Sequence, residues 1–242
     1  MRIVRVSASD HPTYGILEDA GSRIIGLTGD PLFQQVEHSG AFFTLGEERL
    51  LAPVLPRSKM LVLDAPGLAG PIGAQRVDIV PNTAIAGPDD PVVAPSWAGK
   101  IQVEAGIAIV VKTILKDVAA EAARDLALGT CLAARFTAAD VDRGVASTWD
   151  RACPIGPWIE VMSQADPHTD AVTIEAGETV REVEPTPFRL EDALARASAI
   201  ATLLPGDIVM VPWPARVDVA AGEHVTISHA LLGDLHAVIR AN

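Results

Sequence analysis

Hydrophobic and polar residues alternate along most of this chain, in short runs separated by Gly, Pro and Asp. Such alternation is typical of β-strands with one buried face. The runs MRIVRV, YGILED and SRIIGLTG predict a small antiparallel β domain over residues 1–57. A second domain is predicted over residues 58–242, with strands at KMLVLD, RVDIVPN, IQVEAGIAIVVK, PWIEVMS, AVTIEAG, DIVMVPW and HVTISHA. The predicted fold class is mostly β (α+β).

Two helices are predicted from apolar residues at helical spacing. The first begins at Asp117, a suitable capping residue, and ends at Gly129. Its apolar stripe is Val118, Ala122 and Leu126. The second ends at the turn Pro205-Gly206. Its apolar stripe is Leu190, Leu194, Ala197 and Ala201.

Composition and charge limit the classes of function. The chain has 242 residues, of which 19 are basic and 31 acidic, giving a net charge of -12. We therefore expect no nucleic-acid partner, because an acidic protein is repelled by the phosphate backbone. We find no signal sequence and no run of 18 apolar residues, which predicts a cytoplasmic protein with no membrane partner. Cys131 and Cys153 are predicted to be reduced core thiols.

One strand contains an isolated acid. In IQVEAGIAIVV, strand alternation places Gln102, Glu104, Gly106 and Ala108 on one face. Glu104 is the only acid among them, and a glycine stands two residues later on the same face. A pair of carboxylates would be needed here to begin a metal site.

The order of several motifs resembles the fumarylacetoacetate hydrolase family. These six motifs are RLLAPVLPRSKM, PNTAIAGPDDPV, the strand around Glu104, CPIGPWI, TLLPGD, and the closing GEHVTIS with LLGDL. The resemblance runs nearly end to end and includes the small N-terminal β domain of many bacterial members. It implies a distorted β-roll, often assembled as a dimer.

The metal-site positions of that family have changed in this chain. Members usually present two glutamates separated by one residue, and a later aspartate, around Mg²⁺ or Mn²⁺. The first glutamate falls on Glu104, the second on Gly106 and the aspartate on Arg135. A shift that pairs Gln102 with Glu104 would still leave one acid missing. A guanidinium beside a dication is repulsive, so we expect no metal and no cofactor, with Arg135 supplying the positive charge.

Other site positions of the family have changed as well. The family's lysine falls on Ser147, whereas Asp150 still matches its aspartate. The substrate-binding T-G-T-P turn is replaced by residues 211–214, and Trp213 and Arg216 lie on that loop. The lid segment LDAPGLAGPIGAQ has no histidine. We predict Glu104 and Arg135 as catalytic residues, and the substrate-binding residues Ser147, Asp150, Trp213 and Arg216.

Each of these residues also has a structural interpretation. Glu104 and Arg135 can form an ion pair that serves only to neutralise a buried acid, or Arg135 can bind a substrate carboxylate with its planar fork. Trp213 can fill an emptied pocket or stack on a ligand. Asp150 can pair locally with Arg151. The six histidines are predicted to be surface residues: His11, His38, His168, His224, His229 and His236.

The residues support three hypotheses for function. The preferred one is a metal-independent enzyme that acts on a small carbonyl or carboxylate compound as an isomerase, C–C hydrolase, decarboxylase or cyclase. The alternative is a non-catalytic subunit that pairs with an active paralogue, so the partner is either a second copy or that paralogue. A metal-dependent hydrolase ranks third. An open pocket at Glu104 and Arg135 favours the enzyme, and a pocket filled by Trp213 favours the subunit.

Overall fold

The computed structural model describes residues 1–8, 11–18, 21–162 and 169–241. His168 lies outside these ranges. Numbered in chain order, the strands are β1 (Arg2–Ala8), β2 (His11–Leu17), β3 (Arg23–Leu27), β4 (His38–Thr44), β5 (Lys59–Leu63), β6 (Val77–Pro81), β7 (Ile85–Ala86), β8 (Pro91–Ala94), β9 (Ile101–Val111), β10 (Ala127–Ala138), β11 (Cys153–Val161), β12 (Val172–Ala176), β13 (Thr179–Val183), β14 (Ile208–Pro212), β15 (Val217–Val219), β16 (His224–His229) and β17 (Gly233–Ala241). The helices are α1 (Ala120–Ala123) and α2 (Leu190–Ile200). The fold is mostly β, as predicted.

The strands form two sheets. The larger has the order β4-β3-β2-β1-β11-β10-β9-β14-β5-β6, with β15 beside β9 and β7 beside β11. The smaller has the order β13-β12-β16-β17-β8. All seven strands predicted after residue 58 are present, at β5, β6, β9, β11, β12, β14 and β16.

The larger sheet is strongly curved, and a single contact demonstrates this. Strands β10 and β6 are four positions apart in the sheet order, which is about 19 Å in a flat sheet with about 4.8 Å between strands. Yet Arg135 on β10 donates to Asp78 on β6 across 2.7 Å. The strands therefore curl into a roll whose concave side holds a cavity.

The first helix prediction was wrong. The structure has only one α-helical turn, α1, followed by a 3-10 turn at Arg124–Leu126. Asp117 is exposed with φ of 49° and does not cap α1, and Gly129 lies inside β10. Residues 127–129 instead begin β10, which is buried along almost its whole length and so lacks the polar alternation of a half-exposed strand. The second prediction is confirmed by α2, which buries Leu190, Leu194 and Ala197 and ends before the Pro205-Gly206 turn.

Strands β1 to β4 have an apolar cluster of their own. Val4, Val6, Leu17 and Ile24 form it, separately from the main core. The sheet is nevertheless continuous, because Ile3 on β1 pairs with a residue of β11. The boundary after residue 57 stays a prediction. No helix of the described residues is long and apolar enough to cross a membrane.

Candidate active site

Glu104 and Arg135 face each other across neighbouring strands. The antiparallel register of β9 and β10 places them directly opposite. Arg135 Nε donates to Glu104 Oε1 at 2.5 Å, and Nη2 contacts the same oxygen. Glu104 is 4% exposed and Arg135 is 2% exposed. The predicted contact is therefore present, and burial in a medium of reduced dielectric makes it strong.

Arg216 binds Glu104 from the other side of β9. It immediately precedes β15, whose first residue Val217 pairs with Val103. Its Nε donates to Glu104 Oε2 at 2.8 Å. Both carboxylate oxygens of Glu104 therefore accept from a guanidinium. The side chain of Arg216 is 44% exposed, so it links the buried pair to solvent.

Asp78 and Arg143 extend this network, and the sequence did not identify either. Arg135 Nη1 donates to Asp78 Oδ2 at 2.7 Å, and Arg143 Nη2 donates to the same oxygen at 2.9 Å. Arg143 Nε contacts the other oxygen. Burial would raise the pKa of Asp78, but the hydrogen bonds from Arg143 and Arg135 outweigh it and hold the pKa below its usual value. The result is a row of alternating charges, Arg216, Glu104, Arg135, Asp78 and Arg143.

This row lines a cavity of about 610 Å³ on the concave side of the sheet. A volume of this size is typical of small-molecule sites. Four arginines and three acids line it, namely Arg76, Arg135, Arg143, Arg216, Asp64, Asp78 and Glu104. The lining is thus positive by one charge in a chain whose net charge is -12. The site is suited to a small anion.

The other predicted residues are divided between this cavity and the surface. Ser147 is buried and lines the cavity. Trp213 is 4% exposed and forms part of the wall without filling the space, and its Nε1 has no hydrogen-bond partner within the described residues. Asp150 is exposed in the loop after Ser147 and does not line the cavity. The structure therefore brings together five of the six predicted residues.

His229 is not a surface residue, contrary to the prediction. It is 5% exposed, and its ring lies 5.7 Å from the Trp213 ring at an angle of 54°. Its Nδ1 accepts from the backbone N–H groups of Leu231 and Leu232. Nδ1 is therefore an acceptor, and the imidazole packs behind the Trp213 wall. His229 lies directly before a turn in the sequence, and nothing in that position indicates that its side chain is buried.

The lid segment is fastened to the body of the protein. It forms short 3-10 turns at Ala65–Ala69 and Ile72–Ala74. Arg196 on α2 donates to the carbonyl oxygens of Leu68 at 2.9 Å and Gly70 at 2.5 Å. Asp64, Ala65 and Pro66 of this segment form part of the cavity wall.

The two cysteines do not take part in the site. Cys131 and Cys153 are free and buried, as predicted. Burial raises the pKa of each thiol to about 12. Neither is a thiolate near neutral pH, so neither can act as a nucleophile.

The residues around Glu104 do not fit a divalent metal ion. Both of its oxygens already bind arginines, and the facing residue is the cation Arg135. A Cβ on Gly106 would lie 2.3 Å from Met210 Cε, so Met210 occupies the space that a second glutamate would need. Among the described residues, no group of three His, Cys, Asp or Glu side chains is arranged to hold a metal.

Comparisons with known proteins agree with the fold and its two parts. Residues 72–240 match the family model of the fumarylacetoacetate (FAA) hydrolase C-terminal domain, and residues 1–53 match the Rv2993c-like N-terminal domain. Protein Rv2993c of Mycobacterium tuberculosis is 30% identical over 97% of this chain and 96% of its own. Human mitochondrial oxaloacetate tautomerase FAHD2A is 27% identical over 90% of this chain and 82% of its own.

A solved structure extends this likeness to three dimensions. The 2-hydroxyhepta-2,4-diene-1,7-dioate isomerase from Mycobacterium marinum superposes with a TM-score of 0.88 at 27% identity, over 100% of this chain and 99% of that chain. Both the sequence families and the fold therefore agree with the motifs described above. The chain belongs to the fumarylacetoacetate hydrolase family.

Proposed function

We propose that the protein is a metal-independent enzyme that moves a proton next to the carbonyl group of a small oxo-acid, as a keto–enol tautomerase or isomerase does. The observation that carries this proposal is the row of arginines and carboxylates at the cavity. Arg135 stands where the family has a metal-binding acid, and a guanidinium can stabilise the negative charge of an enolate.

The chemical groups at hand favour proton transfer over hydrolysis. Tautomerisation needs one group that accepts and returns a proton, and a positive group beside the carbonyl oxygen. Glu104 and Arg135 can supply these two parts. Hydrolysis would also need an activated water. A C–H bond of the substrate breaks as Glu104 takes the proton, and the O–H bond of the enol forms as the proton is returned.

Arg216 suits the recognition of the substrate carboxylate. Its Nε donates to Glu104 Oε2, and no other described carboxylate pairs with this guanidinium. A carboxylate that approaches Arg216 competes with Glu104 for this guanidinium. Binding of the substrate would thus release Glu104 Oε2 to accept a proton at the moment when the proton is in reach.

Two relatives support the same reaction class by their names. One is called an oxaloacetate tautomerase and another a 2-hydroxyhepta-2,4-diene-1,7-dioate isomerase. Both names describe rearrangement of a small oxo- or hydroxy-diacid. The proposal transfers this class of reaction to the present chain, and leaves its substrate to experiment.

One observation favours the alternative, a non-catalytic subunit that pairs with an active paralogue. In the resting structure, both oxygens of Glu104 are engaged by arginines. A purely structural network would look the same. The open cavity favours the enzyme, because Trp213 lines it without closing it.

The proposal is tested by following the loss of the enol form of oxaloacetate by ultraviolet absorbance in the presence of EDTA. The wild type should accelerate this loss. Glu104→Gln should reduce the rate by about 100-fold or more, as expected for loss of a general base. Arg216→Gln should mainly raise KM. No acceleration by the wild type, with oxaloacetate or a panel of other 2-oxo acids, would favour the non-catalytic subunit.

A matched control separates these effects from surface charge. Arg49 is an exposed arginine that pairs with Asp90, away from the cavity. Arg49→Gln should leave the rate and KM unchanged. Thermal unfolding of each variant verifies that it is folded.

A further inference from the structure

The three carboxylates that line the cavity differ in how many of their oxygens are engaged. Both oxygens of Glu104 contact arginines, and so do both oxygens of Asp78. Asp64 differs, because only its Oδ1 is engaged, by Gln75 Nε2 at 2.8 Å and the N–H of Arg76 at 3.0 Å. Its Oδ2 has no donor and no ion-pair partner among the described residues, and it is accessible to solvent. Asp64 is therefore the cavity carboxylate that has an oxygen available to a ligand.

The sheet register places Asp64 beside the row of alternating charges. Val62 on β5 lies opposite Asp78 on β6. Asp64 follows Val62 by two residues in extended backbone, so the two side chains are on the same face, and both line the cavity. Asp64 and Asp78 are thus diagonal neighbours, which are about 7–8 Å apart on a sheet. Because Asp78 is bonded to Arg135, Asp64 can contact a small molecule that also contacts Arg135.

Gln75 holds the Asp64 carboxylate in one orientation. Besides Oδ1, its Nε2 contacts the backbone carbonyl oxygens of Asp64 at 3.2 Å and of Arg76 at 3.0 Å. Its Oε1 is buried without a hydrogen-bond partner among the described residues, which costs free energy. The donor nitrogen of this amide is therefore directed entirely to the turn at Asp64, and it fixes one carboxylate oxygen while the other stays open.

Glu104 has only one oxygen to offer for the two proton transfers of a tautomerisation. One proton is exchanged at a carbon and another at the neighbouring carbonyl oxygen. Oε1 of Glu104 is held by the buried Arg135, so only Oε2 is released when Arg216 turns to the substrate. A second carboxylate close to Arg135 would serve the substrate oxygen, and Asp64 has this position.

We propose that Asp64 is a second catalytic residue, which exchanges a proton with the substrate oxygen while Glu104 exchanges one with the adjacent carbon. This inference rests on the proposed function and divides its two proton transfers between two carboxylates. In the direction from enol to ketone, the enol O–H bond breaks and Asp64 Oδ2 takes the proton. The carbonyl group forms, and the electron pair of the C=C bond takes a proton from Glu104 to form the new C–H bond. Water in the open cavity then accepts the proton of Asp64 and returns one to Glu104.

The test follows the loss of the enol form of oxaloacetate by ultraviolet absorbance, with EDTA present. Asp64→Asn keeps the oxygen that Gln75 and Arg76 bind, and replaces only the open oxygen with an amide nitrogen. It should reduce kcat by about 100-fold, as expected for loss of a general base, and leave KM nearly unchanged. Asp30→Asn is the matched control, since Asp30 accepts the N–H of Leu32 at 2.9 Å outside the cavity. This control should keep the full rate.

Chemical rescue separates a catalytic role of Asp64 from a structural one. Asp64→Ala leaves a space at the cavity wall, where added formate can supply a carboxylate. Formate should restore part of kcat in Asp64→Ala but not in Asp64→Asn, because the amide fills that space. Gln75→Leu loosens the carboxylate without removing it, so kcat should fall less than in Asp64→Asn and formate should not restore it. Thermal unfolding verifies that each variant is folded.

The outcomes distinguish this inference from the proposed function. A wild-type rate in Asp64→Asn, beside a large loss in Glu104→Gln, would refute the role of Asp64 and leave the proposed function standing. Loss of kcat without rescue of Asp64→Ala by formate would make Asp64 a structural residue, and would also refute the inference. If the wild type does not accelerate the reaction, both proposals fail. Loss of kcat in both Asp64 variants, with rescue by formate only in Asp64→Ala, supports the second catalytic residue.

Discussion

Two buried carboxylates in this protein have very different partners. Asp207, just before β14, is fully buried and accepts three backbone N–H groups, from Ser58 at 2.9 Å, Lys59 at 3.3 Å and Leu204 at 3.0 Å. The Ser58 hydroxyl and the Lys59 ammonium add two side-chain contacts. Glu104, also buried, accepts among the described residues only from the side chains of Arg135 and Arg216.

The difference marks Asp207 as a structural acid and agrees with the functional role that we propose for Glu104. Backbone donors are fixed by the strands and turns around Asp207, so no ligand can compete for them, and the carboxylate ties the start of β5 to the start of β14. The guanidinium groups that bind Glu104 are instead carried at the ends of flexible side chains. The side chain of Arg216 is 44% exposed at the cavity. The bond that Glu104 accepts from Arg216 can therefore be exchanged for a bond to a ligand, whereas the bonds of Asp207 cannot.

The largest effect is expected when the buried arginine is removed. Arg135→Ala strands Glu104 and removes one partner of Asp78, so it should lower the free energy of unfolding by about 3 kcal/mol or more. Chemical denaturation measures the change. The double variant Glu104→Gln with Arg135→Met should recover much of this loss, because it removes the uncompensated charge.

The control for this prediction is additivity. The single changes Glu104→Gln and Arg135→Met are measured alongside the double variant, and contacting residues should show a coupling energy of about 1 kcal/mol or more. If the changes in unfolding free energy of the two single variants simply add up to that of the double variant, Glu104 and Arg135 are not energetically coupled. The distinction between Glu104 and Asp207 would then not hold.

The sequence was sufficient for the fold because its signals are repeated along the chain. Alternating strands and six ordered motifs point to the same β-roll, and an error in one motif is corrected by the others. Strand β10 was missed, because burial on both faces removes the alternation that identifies a strand. The helix predicted from Asp117 to Gly129 was also wrong, because its last residues belong to β10.

A residue of the candidate site could be predicted only in two cases. Either it lies in a recognisable local pattern, or the resemblance to the family assigns it to a known position. Glu104, Arg135, Ser147, Trp213 and Arg216 were found in this way. The contact of Arg135 with Asp78 was not, because it joins strands that are far apart in the sheet order and depends on how sharply the sheet curls. Curvature is a property of the whole packed sheet, and no short sequence pattern specifies it.

A smaller effect is expected at the structural acid. Asp207→Asn loses the charge that its backbone donors stabilise, and should lower the free energy of unfolding by about 2 kcal/mol at pH 7. Burial would raise the pKa of Asp207, but hydrogen bonds from Leu204 and Ser58 outweigh it and hold the pKa below its usual value. The folded carboxyl therefore releases its proton more readily than the unfolded one.

The sign of the pH dependence follows from that lowered pKa. The ionised Asp207 contributes its full stability above the unfolded pKa of about 3.9, and this contribution is lost as pH falls through the lower folded pKa. The stability gap between the wild type and Asp207→Asn should shrink below about pH 4. Binding of 2-oxo acids should be unchanged in this variant. A loss of binding equal to that of Arg216→Gln would contradict the division of roles drawn here.

The smallest effect, close to zero, is expected from divalent metal ions. A metal ion that binds the native state and is present at a free concentration 100 times its Kd would stabilise that state by about 2.7 kcal/mol. This corresponds to a Tm increase of roughly 5–10 °C for a chain of this size. Mg²⁺ or Mn²⁺ should not raise the Tm of this protein, because Glu104 is held by two arginines and Met210 occupies the space beside Gly106. The same titration with 2-oxoglutarate, in EDTA, provides the positive control for a ligand of the cavity. A Tm rise of several degrees with metal that is lost in Glu104→Gln would show that Glu104 keeps the ligand role it has in the family. The contrast between the arginine partners of Glu104 and the backbone partners of Asp207 would then need a different explanation.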